Sequence, residues 1–513
     1  MPGSSSRWGW LAGLAIGCTL IATQPTAAQT IRFIDSSPEQ VGLALPHEAG
    51  LPEALWQGSS TEGLAAVLDA LPAEVRSPAQ HQTLVNLLRL SAPPPEGEPA
   101  QPSLASRRLA ALARLGAEQD VLDLAERIDP DLRDAPYWQA RATVAMLRHD
   151  LSGLCALPAQ ADEAASTAEW QRLAAFCRLL RKQEEAAMVG VMLADELGAD
   201  DPVFAQLFLS RQFPGRPAGP SVLPSEPLHL SMIRAMGQPM ALPKTWTDTP
   251  ALIASGVARY SAVGLEPRTA AAEQAVRTNV LPADLLVQLY LATELTTPLG
   301  TAYRQVAMTA AGPQRLAALE AFWDAAAKAG LYVQMAPFSL EFLAGLDLKA
   351  VPPAFAGKAL RAALAARDAA AIGTTLDALA IARMAKGGAD EHAAAYLVLA
   401  LAGEPLPAQT DWWLAWQNAA KPGNAEKALA AGLLQALGIP APDVSGPDRD
   451  GSAAGRAIAR APAGEAALLA LSALAGPPAP SPGLTVQAVA AVAKVSPADA
   501  RAIAVELAIA AGL

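Results

Sequence analysis

Apolar residues recur every three to four positions over most of this chain, and the stretch 135–198 shows the pattern most clearly. Trp170, Leu173, Ala174 and Cys177 fall at i, i+3, i+4 and i+7, one stripe of a 3.6-residue helix. The next segment carries Ala186, Ala187, Val189, Gly190, Leu193 and Ala194, so small residues recur where a partner helix must approach closely. The spacing predicts helices over 136–148, 167–180 and 184–197, arranged as hairpins.

The same period begins near Thr61, with Leu64, Val67, Leu68 and Leu71 on one face. It predicts helices over 104–115, 118–128 and 202–211. Beyond them come 251–263, 269–279, 282–291, 314–329, 338–346, 353–367, 369–384, 391–402, 411–419, 425–437, 464–474 and 497–511. Several starts carry their own signals, such as Pro282 followed by Asp284, or Ser496 as N-cap before Pro497. Alternating β-branched runs are absent apart from Ile31-Arg32-Phe33-Ile34. The predicted class is all-α, built of helical hairpins in the manner of an α-solenoid.

Proline divides the chain. Eight prolines between Pro214 and Pro250 exclude a continuous helix there, although 228–236 can form a short one. The expected organisation is an extended lead-in over 29–60, a helical block over 61–213, a Pro-rich linker over 214–250 and a second helical block over 251–513. Polar loops fall at 93–102, 438–451 and 476–483.

The first 28 residues read as a signal peptide. Arg7 precedes an apolar run from Leu11 to Ala22, too short to span a bilayer, and Pro25 and Thr26-Ala27-Ala28 supply a break and a small-residue cleavage site. An alternative is lipidation at Cys18, within Ala15-Ile16-Gly17-Cys18. Either route predicts a periplasmic or secreted protein. Arg7 is the segment's only charge, so cleavage makes the mature chain one unit more negative than the −11 of the whole. That balance disfavours binding to nucleic-acid phosphates or anionic lipid. Later apolar runs are too short for an integral membrane segment. Two cysteines remain, Cys155 and Cys177, and in an oxidising compartment such a pair is expected to be bonded.

Candidate chemistry is sparse. The five histidines, His47, His81, His149, His229 and His392, show no HxxxH or HxH spacing, and neither a metal nor another cofactor is predicted. HExxH, GxSxG, SxxK and phosphate-loop motifs do not occur, so no catalytic residue is assigned. Aligning Gly451 of the loop 443–451 with the invariant glycine of a calcium-binding hand puts Gly446 and Ala457 where Asp and Glu are needed. Adjacent acidic pairs such as Glu184-Glu185 point about 100° apart on a helix and do not face one another. The remaining candidate is Trp412, Trp413 and Trp416, three indoles within about one helical turn. They could form a stacking platform for a sugar ring or fill gaps between alanine-rich helices.

Trp170, Leu173, Ala174 and Ala186 resemble the tetratricopeptide pattern in register, with Cys177, Gly190 and Gly198 where that family has an aromatic, Phe and Pro. Soluble lytic transglycosylases also carry a long helical superhelix, but the Glu-Ser and Gly-Leu-Met-Gln elements of their catalytic module do not occur here. The run Trp170 to Cys177, with Leu154-Cys155 upstream, resembles a group of exported, alanine-rich bacterial proteins sometimes labelled antifreeze-glycopeptide related. True antifreeze glycopeptides are Ala-Ala-Thr repeats, which this chain lacks. The resemblance implies export and a paired-cysteine helical repeat, not an activity. The expected function is a non-catalytic scaffold binding a protein or peptide in the cell envelope. The alternative is a glycan binder or glycan-acting enzyme using the Trp412–Trp416 cluster.

Overall fold

In the computed structural model every regular element is a helix among the described residues, which are 37–161, 167–198, 200–212, 222–407, 411–440, 446–448, 450–476 and 479–513. The expected signal peptide, Cys18 and Ile31–Ile34 lie outside them. Isolated bridges, such as Ser60 with Glu96, are the only β-pairing among the described residues.

The first helices are α1 (Thr61–Asp69), α2 (Pro78–Leu88), α3 (Leu104–Arg114), α4 (Glu118–Arg127), α5 (Ala135–Arg148) and α6 (Leu151–Ala156). After them come α7 (Ala168–Leu180), α8 (Glu184–Glu196), α9 (Pro202–Gln212), α10 (Pro227–Met236), α11 (Ala251–Ala258), α12 (Leu265–Arg277) and α13 (Ala283–Tyr290). Next are α14 (Pro298–Met308), α15 (Pro313–Lys328), α16 (Tyr332–Leu340), α17 (Pro353–Ala366), α18 (Ala369–Ala382), α19 (Gly388–Ala394) and α20 (Tyr396–Ala402). The last are α21 (Trp412–Ala420), α22 (Asn424–Ala436), α23 (Ala453–Arg460), α24 (Ala463–Ala475), α25 (Pro482–Ala493) and α26 (Pro497–Ala510). None of these is long and apolar enough to cross a membrane.

Neighbours in sequence pack as hairpins, most extensively α7 with α8, α17 with α18, α11 with α12 and α24 with α25. The segment 37–60 carries two short 3-10 turns, Pro38–Gln40 and Pro46–Ala49, and buries Leu51, Leu55 and Trp56. Within 214–250, α10 packs against α5, α9 and α11. Four helices differ from the expected pattern because of proline. Helices α2, α14 and α25 each begin on a proline at the first position, where no N–H is needed, and the Ser77 and Ser481 side chains cap α2 and α25. Helix α16 runs through Pro337, whereas the sequence pattern starts a helix only after it.

The chain path returns on itself, since α1 packs on α24 and α2 on α26. The meeting point is the non-helical stretch 71–77. Asn279 Nδ2 donates to the Val75 carbonyl at 2.6 Å, and Gln334 Nε2 donates to that of Arg76 at 2.7 Å. Unpaired N–H groups at helix starts need acceptors, and here carboxylates supply them from far along the chain. Glu39 accepts from Leu104 and Ala105 at the start of α3, and Glu74 accepts from Ala251 at the start of α11. On α26, Glu506 accepts from the Ser77 hydroxyl and, at 3.0 Å, from the Ala79 amide at the start of α2.

Glu506 is almost wholly buried. Desolvation pushes its carboxyl up to about 7, against the opposing pull of Ser77, Ala79 and Arg367. The folded chain therefore holds this proton more tightly than the unfolded chain. The associated stabilisation is full below the ordinary carboxyl range and is lost as pH rises through about 7. On that basis about 3 kcal/mol of stability should disappear between mildly acidic and mildly alkaline solution. Urea unfolding across that range should show a fall in the natural chain that is about 3 kcal/mol larger than in Glu506→Gln, whose residual slope belongs to other buried groups such as Glu273 and His81. An equal slope in both would assign the effect to other groups.

Candidate functional site

The helix α7 organises the most polar buried junction. Thr167 caps it by accepting from the Trp170 amide, and its apolar stripe buries Trp170, Leu173, Ala174 and Cys177 as the sequence period predicts. Arg172 projects from the same helix and is also buried. Its guanidinium pairs with Asp201, and a second nitrogen lies 4.0 Å from Glu226. Asp201 precedes α9 and accepts from the Phe204 amide at 2.9 Å, while His229 on α10 sets its Nε2 2.8 Å from the same carboxylate. Burial pushes the Asp201 carboxyl up, but the Phe204 amide, His229 and Arg172 together outweigh it, and the net shift is downward.

The arrangement has two chemical readings. Asp201, Glu226 and His229 present ligand atoms within 4.8 Å of one another, a spacing that suits a metal ion. The Arg172 guanidinium already contacts both carboxylates, however, so the cationic role is filled. The hydrogen-bond partners also assign the tautomer: Nε2 donates to Asp201, while Nδ1 faces the amide and hydroxyl of Ser225 at 3.4 and 3.3 Å. A metal at Nε2 would have to displace that proton and the guanidinium together. Ser225, His229 and Asp201 also stand in the order of a hydroxyl, a base and an acid. Yet the His229 ring is only 1% exposed, and its Nδ1 lone pair is shared with Ser225's own amide. The junction's evident work is to join α7, α9 and α10 through one charged network. Sequence reading overlooked it, although Glu226-Pro-Leu-His229 has the three-residue spacing that places two ligands on one helical face.

The cysteines meet as expected. Cys155 in α6 and Cys177 in α7 have Sγ atoms 1.99 Å apart, closing a disulfide across 22 positions. Arg181 Nη2 donates to the Cys155 carbonyl at 2.8 Å and reinforces the same junction. Chain entropy makes such a loop worth about 3 kcal/mol. Cys155→Ser with Cys177→Ser should lower unfolding stability by about that amount, and reductant should then have no further effect on the variant. Equal stability of the two chains would show that the cross-link constrains little.

No family model, curated protein or solved structure matches this chain. Its functional reading therefore rests on its own surfaces.

The three indoles divide. Trp416 is fully buried and Trp413 is 5% exposed, with their rings tilted against each other at 4.9 Å, while Trp412 is half-buried and meets Trp413 edge-on. A sugar platform needs open ring faces, and only Trp412 has part of one. Asp411 caps this helix by accepting from the Leu414 amide.

The opposite situation holds on α8. It buries only Ala187, Gly190 and Ala194, and a Cβ built at Gly190 would lie 3.1 Å from that of Ala175, so small residues set the close approach to α7. Ala186, Val189 and Leu193, which the sequence pattern grouped with that face, turn to solvent. Val189, Met192, Leu193 and Leu197 are 53%, 57%, 41% and 52% exposed. Elsewhere among the described residues, exposed large apolar side chains are more scattered along the chain.

Proposed function

We propose that this chain is an exported, non-catalytic helical scaffold, a tetratricopeptide-like array that binds a protein or peptide partner in the bacterial cell envelope. The observation that carries the reading is the apolar face of α8, since contiguous exposed apolar surface marks interaction sites. Stacked helical hairpins commonly offer such surfaces to partners. Export is supported by the leader-like residues 1–28 and by the Cys155–Cys177 disulfide. The glycan alternative lacks comparable support, because Trp413 and Trp416 lie in the core.

The test is capture from envelope extract with the mature chain and with Val189→Glu plus Met192→Glu, with peptidoglycan sacculi sedimented in parallel. A specific protein held by the natural chain and lost by the variant supports the scaffold. Sedimentation with sacculi that disappears in Trp412→Ala would replace it with glycan binding. Capture of nothing by either bait would remove the scaffold reading.

A further inference from the structure

We infer that the segment recognised by α8 is a basic amphipathic helix, an inference that rests on the scaffold reading and specifies its partner. The first argument is shape. The buried stripe Ala187, Gly190 and Ala194 faces α7, and the opposite face at 100° per residue presents Glu185, Val189, Met192, Leu193 and Glu196. The apolar side chains follow helical spacing, so another helix can lay its own apolar stripe along them. Met192 contributes a flexible, polarisable surface of the kind that accommodates varied partners.

The second argument is charge. Glu185 and Glu196 bracket the apolar face roughly 16 Å apart along the axis. Glu184 and Asp195 are exposed beside them. Among the described residues none of these four carboxylates has an ion-pair partner. An apolar stripe closed at both ends by unpaired acids is complemented by a helix with apolar residues in the middle and Lys or Arg at each end. A second copy is disfavoured by the same geometry, because an antiparallel two-fold pairing of α8 sets Glu185 against Glu196. Anionic lipid is disfavoured for the same reason.

The test uses the mature chain and two labelled synthetic helices. Both carry leucine at i, i+3, i+4 and i+7; one has lysine pairs about eleven residues apart at its ends, and the other has glutamate there. The basic peptide should bind saturably, weaken with added salt, and exceed the acidic peptide by roughly tenfold. Glu185→Lys with Glu196→Lys should invert that preference, and Val189→Glu with Met192→Glu should abolish binding. All four substitutions sit on exposed positions, and thermal melts of the variants are the control for folding. Equal binding of both peptides, or binding that survives the apolar variant, overturns the inference. So does a concentration-dependent dimer that the apolar variant dissociates, which assigns the face to a second copy. If an envelope protein is captured through Val189 and Met192 yet ignores the charge reversal, the basic-helix inference falls while the scaffold stands. If neither peptide nor envelope protein is held, both fall.

Discussion

Asp201→Ala is expected to destabilise the folded chain by about 3–5 kcal/mol, the range for removing one partner of a buried ion pair. Three losses coincide at this carboxylate. Among the described residues Arg172 then keeps a buried guanidinium with only the 4.0 Å contact to Glu226, His229 loses the acceptor of its Nε2 proton, and α9 loses its cap at the Phe204 amide. The cap alone is worth about 1 kcal/mol. Coupling can be separated from simple loss by a double-mutant cycle. Arg172→Met should cost much less in an Asp201→Ala background than in the natural chain. Strictly additive costs would show that the two residues act independently. Replacing Arg172, Asp201 and His229 together by apolar residues of similar volume should recover most of the loss, because no buried charge then remains unpaired.

Trp416→Ala should be comparably severe, at about 3–5 kcal/mol, since it empties a fully buried indole from between α21 and its neighbours. The indole Nε1 of Trp416 has no hydrogen-bond partner among the described residues, so the loss is one of packing. Trp416→Phe should therefore cost well under half as much, while Trp412→Ala, at a half-buried position, should change stability little. Chemical unfolding of the three variants checks the order. If Trp412→Ala were the most destabilising, the assignment of core and rim within this cluster would be reversed.

Much of the fold is legible in the sequence where a helix carries an uninterrupted 3.6-residue stripe and a local cap. Helix α7, with Thr167 before it, and α26, with Ser496 before Pro497, are of this kind. Proline obscures part of the rest, while α6 and α23, capped by Asp150 and Ser452, are too short to carry a clear stripe. A proline such as Pro78, Pro298 or Pro482 reads as a breaker until its place on the first turn is recognised, and Pro337 conceals a helix that continues through it. Caps supplied by Glu39, Glu74 and Glu506 leave no local mark, because donor and acceptor lie far apart in the chain.

The candidate surfaces divide along the same line. The pairing of Cys155 with Cys177 follows from counting two thiols, and the close packing of α7 on α8 follows from alanine and glycine spacing. The Arg172–Asp201–His229 junction joins side chains 28 and 29 positions apart in sequence, with no motif to connect them. The exposed face of α8 is hidden for a different reason. Val189, Met192 and Leu193 are residue types ordinarily assigned to the interior, and only the positions of the neighbouring helices show that none of the described residues covers them.

The meeting of α2 with α24 and α26 has a consequence for how the molecule comes into being. Ser77, Ala79 and Gln80 find their partners 429, 427 and 391 positions downstream. In an open array each unit settles against its neighbour as it is made, and native structure accumulates from one end. Here the beginning of the chain cannot complete its contacts until the end has been synthesised. These closing contacts are a minor part of the packing, which is dominated by hairpins between sequence neighbours, so the hairpins can form early while the junction of the first and last helices waits for the complete chain. The last helix is thus the piece that closes the molecule, because the donors at Ser77 and Ala79 stay unmatched until Glu506 arrives.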